Sequence, residues 1–319
     1  MNDPSKTPVD IEEQRAWVND LHKQLGSWSE VGKRTGIPAS TVQAFGAGKY
    51  AGNNQGVADK VFRYHQMLVA HRSIVVDMPE RPGFFETETS LQLIHMLTFA
   101  QRYGRIAVGA LGPGNSKSEA ARHYQACFPN VFLATMTPST SGVNTMQIAI
   151  LEAMGYTDVK GTPQKLSKQI LDRCKGVRNP LIILDETQHL TGKALEEIRG
   201  WNDAIGVGIA LFGNAGVLRQ LEGGNRQINF AQMFSRVGLR LEQQIPLESD
   251  VEAMAQAWNV HEHRMIGTLK KICLRPGGLR NGTHVLELAH MLAAAGSEVL
   301  SDDHLGNAWA QLSSRAVAA

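Results

Sequence analysis

Hydrophobic positions recur in two different ways along this chain. Near the N-terminus and beyond Pro246 they follow helical spacing, as through Ile11, Trp17 and Leu21. In the middle they form short unbroken runs, which are typical of strands buried on both faces of a parallel sheet. The chain is therefore predicted to place an α/β domain between two helical regions.

The central runs alternate with segments of helical periodicity, which is the order of an α/β fold with a parallel sheet. Strands are predicted to begin at Ile106 and to cover Val131–Thr135, the apolar residues before Asp185, and Val207–Phe212; helices are predicted over Val57–Arg72, Ser90–Tyr103 and Lys193–Asn202. Two prolines and a glycine between Ile74 and Phe85 indicate a linker. The predicted domains are residues 1–73, 74–245 and 246–319.

Composition adds few constraints on the number of domains, the partners and the cellular compartment. The 319 residues suggest about two domains, and 32 basic against 30 acidic residues give no strong partner signal. Cys127, Cys174 and Cys273 match no metal or redox spacing, so we expect three reduced, partly buried thiols. No apolar run approaches the ~18 residues of a membrane span and no signal-peptide pattern is present, so we expect a cytoplasmic protein without membrane contact.

The segment from Ile106 to Tyr124 reads as a strand, a glycine-rich turn and a helix opening at Lys117 and Ser118. This is the order of a phosphate-binding loop, in which backbone N–H groups, a lysine and a hydroxyl on Mg²⁺ hold the phosphates. The predicted nucleotide-binding residues are Gly112, Pro113, Gly114, Asn115, Ser116, Lys117, Ser118 and Glu119. The match to the motif is imperfect, because the motif has glycine where this chain has Leu111 and Ser116. An ordinary strand-turn-helix connection is the alternative.

Two acidic residues, Asp185 and Glu186, follow the apolar run in NPLIILDETQHL. Ligands of open α/β sheets bind at the carboxyl ends of the strands. We therefore expect Asp185 to hold Mg²⁺ together with Ser118, and Glu186 to polarise an attacking water. A solvated acidic pair at a strand end is the alternative interpretation.

Polar residues farther along could complete such a site. Asn214, after the next apolar strand, could orient the water, although it could equally cap a helix. Arg236, in the sequence Phe234-Ser235-Arg236, is predicted to reach a neighbouring protomer as an arginine finger. Arg280 begins a predicted helix after Pro276, from which it could fold back onto the nucleotide.

The N-terminal region has the pattern of a helix-turn-helix. Ser29 could cap a short helix, Gly36 marks a tight turn, and a second helix opens near Ala39. Ser40, Thr41 and Gln43 would then face a DNA groove, with Lys33 and Arg34 on the phosphates. A helical packing or dimerisation module is the alternative.

The most basic stretch is residues 160–178, which includes Lys160, Lys165 and Lys168. Together with the polar turn at Thr137, it is the candidate for a DNA-facing surface. A solvated helix face would give the same pattern.

These motifs, in this order, resemble those of AAA+ ATPases. More narrowly, the helix-turn-helix and the segments RPGFFETETS, SEAARHY, TPSTSGV, LDETQHL, FGNAGV, GGNRQINFAQMFSRV and RPGGLR resemble the transposition proteins B of Mu-like transposable phages. The resemblance implies an AAA+ core with a C-terminal helical lid, ATP and Mg²⁺ as cofactors, and a bacterial host cytoplasm. It also implies helical self-assembly on double-stranded DNA with little sequence preference, and activation of a DDE transposase.

The resemblance also assigns roles to single residues. Lys117 and Ser118 would hold phosphate and magnesium, Asp185 and Glu186 would be the acidic pair, and Asn214 and Arg280 the two sensors. Ser116 departs from the family's glycine, which implies weaker binding or slow hydrolysis. A helicase-loader ATPase and a helix-turn-helix regulator with a non-hydrolysing core remain the alternatives.

Overall fold

In a computed structural model of the chain, the described residues are 9–76, 80–217 and 236–314. The chain divides into two compact units, Met1–Pro79 and Glu80–Ala319. The predicted domain boundaries after residues 73 and 245 stay predictions.

The described residues of the first unit, 9–76, form a bundle of four helices: α1 (Ile11–Leu25), α2 (Trp28–Thr35), α3 (Ala39–Gly46) and α4 (Asn54–Val76). The Asp10 carboxylate caps α1 by accepting from the N–H of Glu12 at 2.8 Å. Apolar side chains from all four helices form one core: Val18, Leu21, Val31, Ile37, Val42, Phe45, Val57, Ala58 and Val61.

The turn between α2 and α3 requires two glycines. Gly36 has φ +67° and ends α2, as predicted. At Gly32 a Cβ would lie 2.6 Å from the carbonyl oxygen of Ile37, so only glycine allows α3 to approach this closely. Two expectations were wrong here. The residue before α2 is Ser27 rather than Ser29, and α4 continues to Val76, into the predicted linker.

The second unit contains a parallel five-stranded sheet of order β2-β3-β4-β1-β5. Its strands are β1 (Ile106–Leu111), β2 (Val131–Thr135), β3 (Leu181–Asp185), β4 (Gly208–Gly213) and β5 (Val237–Gln243). Its helices are α5 (Glu88–Tyr103), α6 (Lys117–Cys127), α7 (Val143–Ala153), α8 (Pro163–Lys175) and α9 (Gly192–Ile205). Every residue of β1, β3 and β4 is buried, as expected for central strands covered on both faces.

Strand β5 was not predicted. It pairs with β1 at the edge of the sheet, and most of its residues are exposed or half-buried. A weak signal was present in the alternation of Val237, Leu239 and Leu241. Helix α5 begins at Glu88, two positions before the predicted start, because Thr87 and Ser90 form a capping box.

Beyond Pro246 the described chain is helical, as predicted: α10 (Glu248–Ala257), α11 (His263–Cys273), α12 (Gly278–Gly296) and α13 (Asp302–Ser314). These helices share their own apolar core around Val251, Leu269, Val285 and Leu305. The buried carboxylate of Asp250 ties them to the sheet domain, since it accepts from the N–H of Thr89 at 2.9 Å.

The thiols differ in their exposure. Cys174 and Cys273 are buried, and burial raises the pKa of Cys174 to about 11 and that of Cys273 to about 12. Cys127 is exposed, so the expectation of three partly buried thiols was wrong for it. Within the described ranges, no helix combines the length and apolar character that crossing a bilayer requires.

Candidate functional site

The glycine-rich turn lies between β1 and α6, at the carboxyl edge of the sheet. Gly114 has φ +75°, and Ser116 has φ +57° and ψ 7° immediately before α6. Position 116 therefore adopts the left-handed conformation for which the phosphate-loop motif uses glycine. The N–H groups of the first turn of α6 have no intrahelical acceptor and can bind an anion.

The turn packs closely against two other segments. A Cβ on Gly112 would lie 2.0 Å from the carbonyl oxygen of Gln244, and one on Gly114 would lie 2.0 Å from that of Gly277. The N–H of Leu279 donates to the carbonyl oxygen of Gly114 at 3.1 Å. The loop is thus held between the exit of β5 and the start of α12, and neither glycine can be replaced without moving backbone.

Lys117 is almost fully buried at the base of the loop, with 8% of its surface exposed. Its Nζ donates to the carbonyl oxygens of Leu111 and Gly112, at 2.8 Å each. An ammonium has three donors, so one remains for another acceptor. Burial lowers the pKa of Lys117; Asp185 and Glu186 counteract this, while Arg280 adds to it.

The acidic pair lies beside the loop, as the strand order predicts. Asp185 is buried at the end of β3, and the Ser118 hydroxyl donates to its Oδ2 at 2.5 Å. Glu186 follows with φ +57°, and its carboxylate accepts from the side-chain amide of Gln188. Two oxygen groups that suit Mg²⁺, from Ser118 and Asp185, therefore meet at one point.

Asn214 lies at the end of β4, next to β3. Its Oδ1 accepts from the N–H of Gly216 at 2.7 Å, as in the helix-cap alternative. Its own N–H donates to Gln188 Oε1 at 3.4 Å, a contact that links Asn214 to Glu186 through one side chain. Asn214 therefore reaches Glu186 only through Gln188, and its role in orienting a water stays a prediction.

A cavity of about 250 Å³ opens over the loop, and we call it the phosphate cavity. Its lining includes Lys117, Ser118 and Glu186, together with Arg280 from the first turn of α12. A second cavity of about 270 Å³, the side cavity, is lined by Phe84, Phe85 and Trp258. The two cavities share the residues Arg81, Phe85, Ser116, Glu119 and Thr283.

Phe84 and Phe85, at the end of the segment before α5, differ in what they contact. One face of Phe84 is covered by the His123 ring, with centroids 3.8 Å apart. Phe85 packs against the core of the C-terminal helices. Both side chains nevertheless line the side cavity.

Arg236 lies at the opposite end of the sheet from the phosphate cavity. It precedes Val237, which pairs with Ile106 at the start of β1, so β1 separates it from the loop by roughly 17 Å. Its Nε donates to Asp203 at 2.8 Å. Phe234 and Ser235, the other residues of the predicted finger, lie outside the described residues.

The predicted DNA contacts lie on two exposed surfaces. Lys33, Arg34, Ser40 and Gln43 are exposed on α2 and α3, with Thr41 half-buried. Lys160, Lys165, Lys168 and Thr137 are exposed on and before α8 and after β2. Arg34 is paired with Glu30 at 3.1 Å.

Gln188 and Arg81 belong to the site but carry no sequence signal. Gln188 holds Glu186 and accepts from the N–H of Asn214, and Arg81 lines both cavities. The contact with Asn214 and the position of Arg81 beside the loop join segments distant in sequence, which no local pattern reveals. Asn115, which was predicted, donates to the carbonyl oxygen of Gln243 at 3.0 Å. Across the described part of the chain, no cluster of three or more His, Cys, Asp or Glu side chains could hold a metal ion.

A family model described as AAA domain matches residues 106–221. Among solved structures, Cdc6p from Pyrobaculum aerophilum superposes with a TM-score of 0.51 at 11% identity, over 69% of this chain and 65% of that one. A Walker-type ATPase of Pyrococcus abyssi gives 0.50 at 12% identity, over 75% and 76%. The protein thus has the fold of an AAA-type P-loop ATPase, and the predicted fold class is confirmed.

A second model, described as Mu B transposition protein, C terminal, matches residues 235–312. The ATP-dependent target DNA activator B of Escherichia phage Mu is 32% identical over 95% of this chain and 96% of its own length. The Mu-like prophage FluMu DNA transposition protein B of Haemophilus influenzae is 31% identical over 82% and 92%. The chain belongs to the family of Mu B transposition proteins.

Proposed function

We propose that this protein binds DNA in an ATP-dependent manner, polymerises on target DNA, selects the transposition target and activates a DDE transposase. The observation that carries the proposal is the phosphate cavity, which Lys117 and Ser118 line beside a loop with positive φ at Gly114 and Ser116. The Ser118 hydroxyl donates to the carboxylate of Asp185 next to this cavity. The names of the phage relatives, which describe ATP-dependent activation of target DNA, support the rest.

The residues present fit ATP and Mg²⁺. Lys117 keeps one donor for a phosphate oxygen, and Arg280 faces the same cavity from α12. Ser118 and Asp185 would hold Mg²⁺, which binds proteins through one or two carboxylates together with substrate phosphates. When bound, the metal would neutralise charge on the phosphates.

Hydrolysis would depend on Glu186. Its carboxylate lines the cavity and is held by Gln188, so it can accept the proton of a water aligned with the terminal phosphate. Asn214 acts as a positioning residue through Gln188. We propose a slow ATPase, since Ser116 replaces the glycine of the motif.

The position of Arg236 supports the proposed self-assembly. Because it lies at the far end of β1 from its own phosphate cavity, it could serve only the cavity of a neighbouring protomer. An Arg that contacts the nucleotide of a neighbouring protomer would stabilise the interface between them, so bound nucleotide would favour the polymer. Removing the terminal phosphate would then loosen the interface.

The DNA surface would be built by Lys160, Lys165 and Lys168 with Thr137, and a second contact by α2 and α3. Lysines on phosphates give little sequence preference and strong salt dependence. We place the protein in the cytoplasm of the bacterial host, where target DNA and transposase meet.

The test is DNA co-sedimentation with negative-stain imaging, in ATP, in ADP and without nucleotide. We expect long particles on DNA only in ATP, and their loss in Lys117→Ala, with at least 100-fold weaker ATP binding because a buried phosphate ligand is removed. Lys193→Ala, which changes a lysine on α9, is the matched control.

Two outcomes would contradict the proposal. Nucleotide-independent binding to one short sequence would favour the helix-turn-helix regulator with a non-hydrolysing core. An ATP-dependent particle that requires a helicase rather than DNA would favour the helicase loader.

A further inference from the structure

Ser116 is one of the two residues, with Leu111, at which this chain departs from the phosphate-loop motif, and it lies at the junction of the two cavities. Its side chain lines both the phosphate cavity, with Lys117 and Ser118, and the side cavity, with Phe84 and Trp258. The following inference rests on the proposed binding of nucleotide to this loop.

The backbone conformation explains why a serine is costly here. An L-residue at φ +57° brings its Cβ near the following carbonyl group, at a cost of roughly 1–2 kcal/mol that glycine avoids. One other serine in the described chain, Ser297 at the end of α12, has φ +53°. It is exposed and lines neither cavity, so it shows the same backbone cost without the site.

The hydroxyl of Ser116 is available to a ligand. It makes no capping hydrogen bond to α6, and among the described residues no side-chain hydrogen bond is found for it. The Ser116 carbonyl oxygen, in contrast, accepts from the N–H of Ala120 at 2.8 Å, which fixes the backbone from which the side chain projects.

The contents of the two cavities indicate which part of a nucleotide lies nearest. Lys117 and Ser118 mark the side of the outer phosphates, whereas the half-buried aromatic residues Phe84 and Phe85 line the side cavity, which suits a base. A group at the junction of the two cavities faces the part of the nucleotide between its base and its outer phosphates, which is the ribose and the α-phosphate. A charged phosphate oxygen is the strongest acceptor available there for a hydroxyl.

We propose that the Ser116 hydroxyl donates a hydrogen bond to the α-phosphate of the bound nucleotide. A glycine in this position could not make that contact. Ser116 then binds nucleotide through its side chain, and the serine offsets part of its backbone cost when nucleotide binds.

The experiment is isothermal titration calorimetry of ATP and ADP, each with Mg²⁺, on the full chain. The variants are Ser116→Ala and Ser116→Gly, both of which remove the hydroxyl. Ser116→Ala keeps the Cβ, whereas Ser116→Gly also removes the energetic cost of the positive φ. Ser297→Ala and Ser297→Gly are the matched pair, and thermal unfolding without nucleotide reports folding and the backbone cost for all four.

Loss of a hydrogen bond to a charged group should weaken binding by about tenfold. We expect this loss in Ser116→Ala for ATP and ADP alike, because both carry the α-phosphate. Ser116→Gly should also bind more weakly than the wild type, and both Ser297 variants should bind normally.

Three results would overturn the inference. Unchanged binding in Ser116→Ala with tighter binding in Ser116→Gly would mean that the serine only crowds the site. A loss confined to ATP would place the contact on the terminal phosphate. Absence of nucleotide binding in the wild type would remove the proposed function as well, whereas in the first two cases that function stands.

Discussion

The loop of the phosphate cavity is held by contacts from several elements, whereas most side chains of the candidate DNA surfaces are exposed on a single helix or turn. The loop at Gly112–Ser116 is fixed by α6, by the exit of β5 and by the start of α12. Lys165 and Lys168, on α8, are exposed along one helix. The difference teaches that a small site depends on packing throughout its domain, while a charged surface depends mainly on how many charges it presents.

We expect the largest difference between the phosphate-binding loop and the exposed surfaces when a methyl group is added to a glycine of the loop. Gly114→Ala places a Cβ 2.0 Å from the carbonyl oxygen of Gly277, on a backbone at φ +75°. Gly155, which precedes the basic stretch, has φ +91°, but a Cβ there would meet nothing within 4 Å. We expect Gly114→Ala to lower the free energy of unfolding by about 3 kcal/mol or more, and Gly155→Ala by about 1 kcal/mol.

Chemical unfolding of the full chain measures both glycine variants, and calorimetry measures their nucleotide binding. Gly114→Ala should lose nucleotide binding, because the loop must move away from α12. Equal destabilisation by the two variants would show that the backbone conformation alone matters, and that the packing of the loop against α12 contributes nothing.

The same difference explains how far the sequence could predict the molecule. Strands β1, β3 and β4 were found because burial on both faces leaves an apolar run in the sequence. Strand β5 lies at an edge with exposed side chains, so its apolar pattern is too weak to stand out. Edge strands are specified largely by the neighbour with which they pair.

Within the site, the residues that belong to a sequence motif were predicted. The residues that reach the site only through tertiary contacts were not. Lys117, Ser118 and Asp185 do converge, because strand order brings the ends of β1 and β3 to one edge. The contact of Gln188 with Asn214 and the position of Arg81 beside the loop arise only when distant segments fold together. The positive φ of Ser116 agrees with the glycine that the motif uses at this position.

A second way to test the comparison is to change chemistry in the cavity without changing its packing. Glu186→Gln keeps the side-chain volume but removes the carboxylate that would accept a proton. We expect ATP hydrolysis to fall about 100-fold or more, with the affinity for ATP changed by less than tenfold. Phosphate release under single-turnover conditions and calorimetry measure the two quantities.

Glu152→Gln, on the exposed surface of α7, is the control for the loss of one negative charge. DNA binding in ATP should persist in Glu186→Gln, and its particles should outlast those of the wild type. A variant that loses ATP binding and hydrolysis together would show that Glu186 acts in holding the nucleotide, which contradicts its proposed role.

The smallest effects are expected on the exposed surfaces, where each charge acts almost independently. Replacing Lys160, Lys165 and Lys168 together by alanine should weaken DNA binding in ATP about tenfold at moderate salt. If each lysine neutralises one phosphate, the slope of log affinity against log salt should become less steep by about 2.7. Nucleotide affinity should not change, because none of these residues lines the phosphate cavity.

The paired variant Lys33→Ala with Arg34→Ala tests the other surface by the same salt titration. Its effect should be smaller, since the Arg34 guanidinium already donates to Glu30 and has less charge to offer a phosphate. Fluorescence anisotropy with two unrelated duplexes measures both slopes and any sequence preference. The Lys33 and Arg34 variant could instead lose more DNA affinity than the triple lysine variant, and only on one duplex. That result would contradict the expected order of the two effects and would assign sequence-specific DNA binding to the helix-turn-helix.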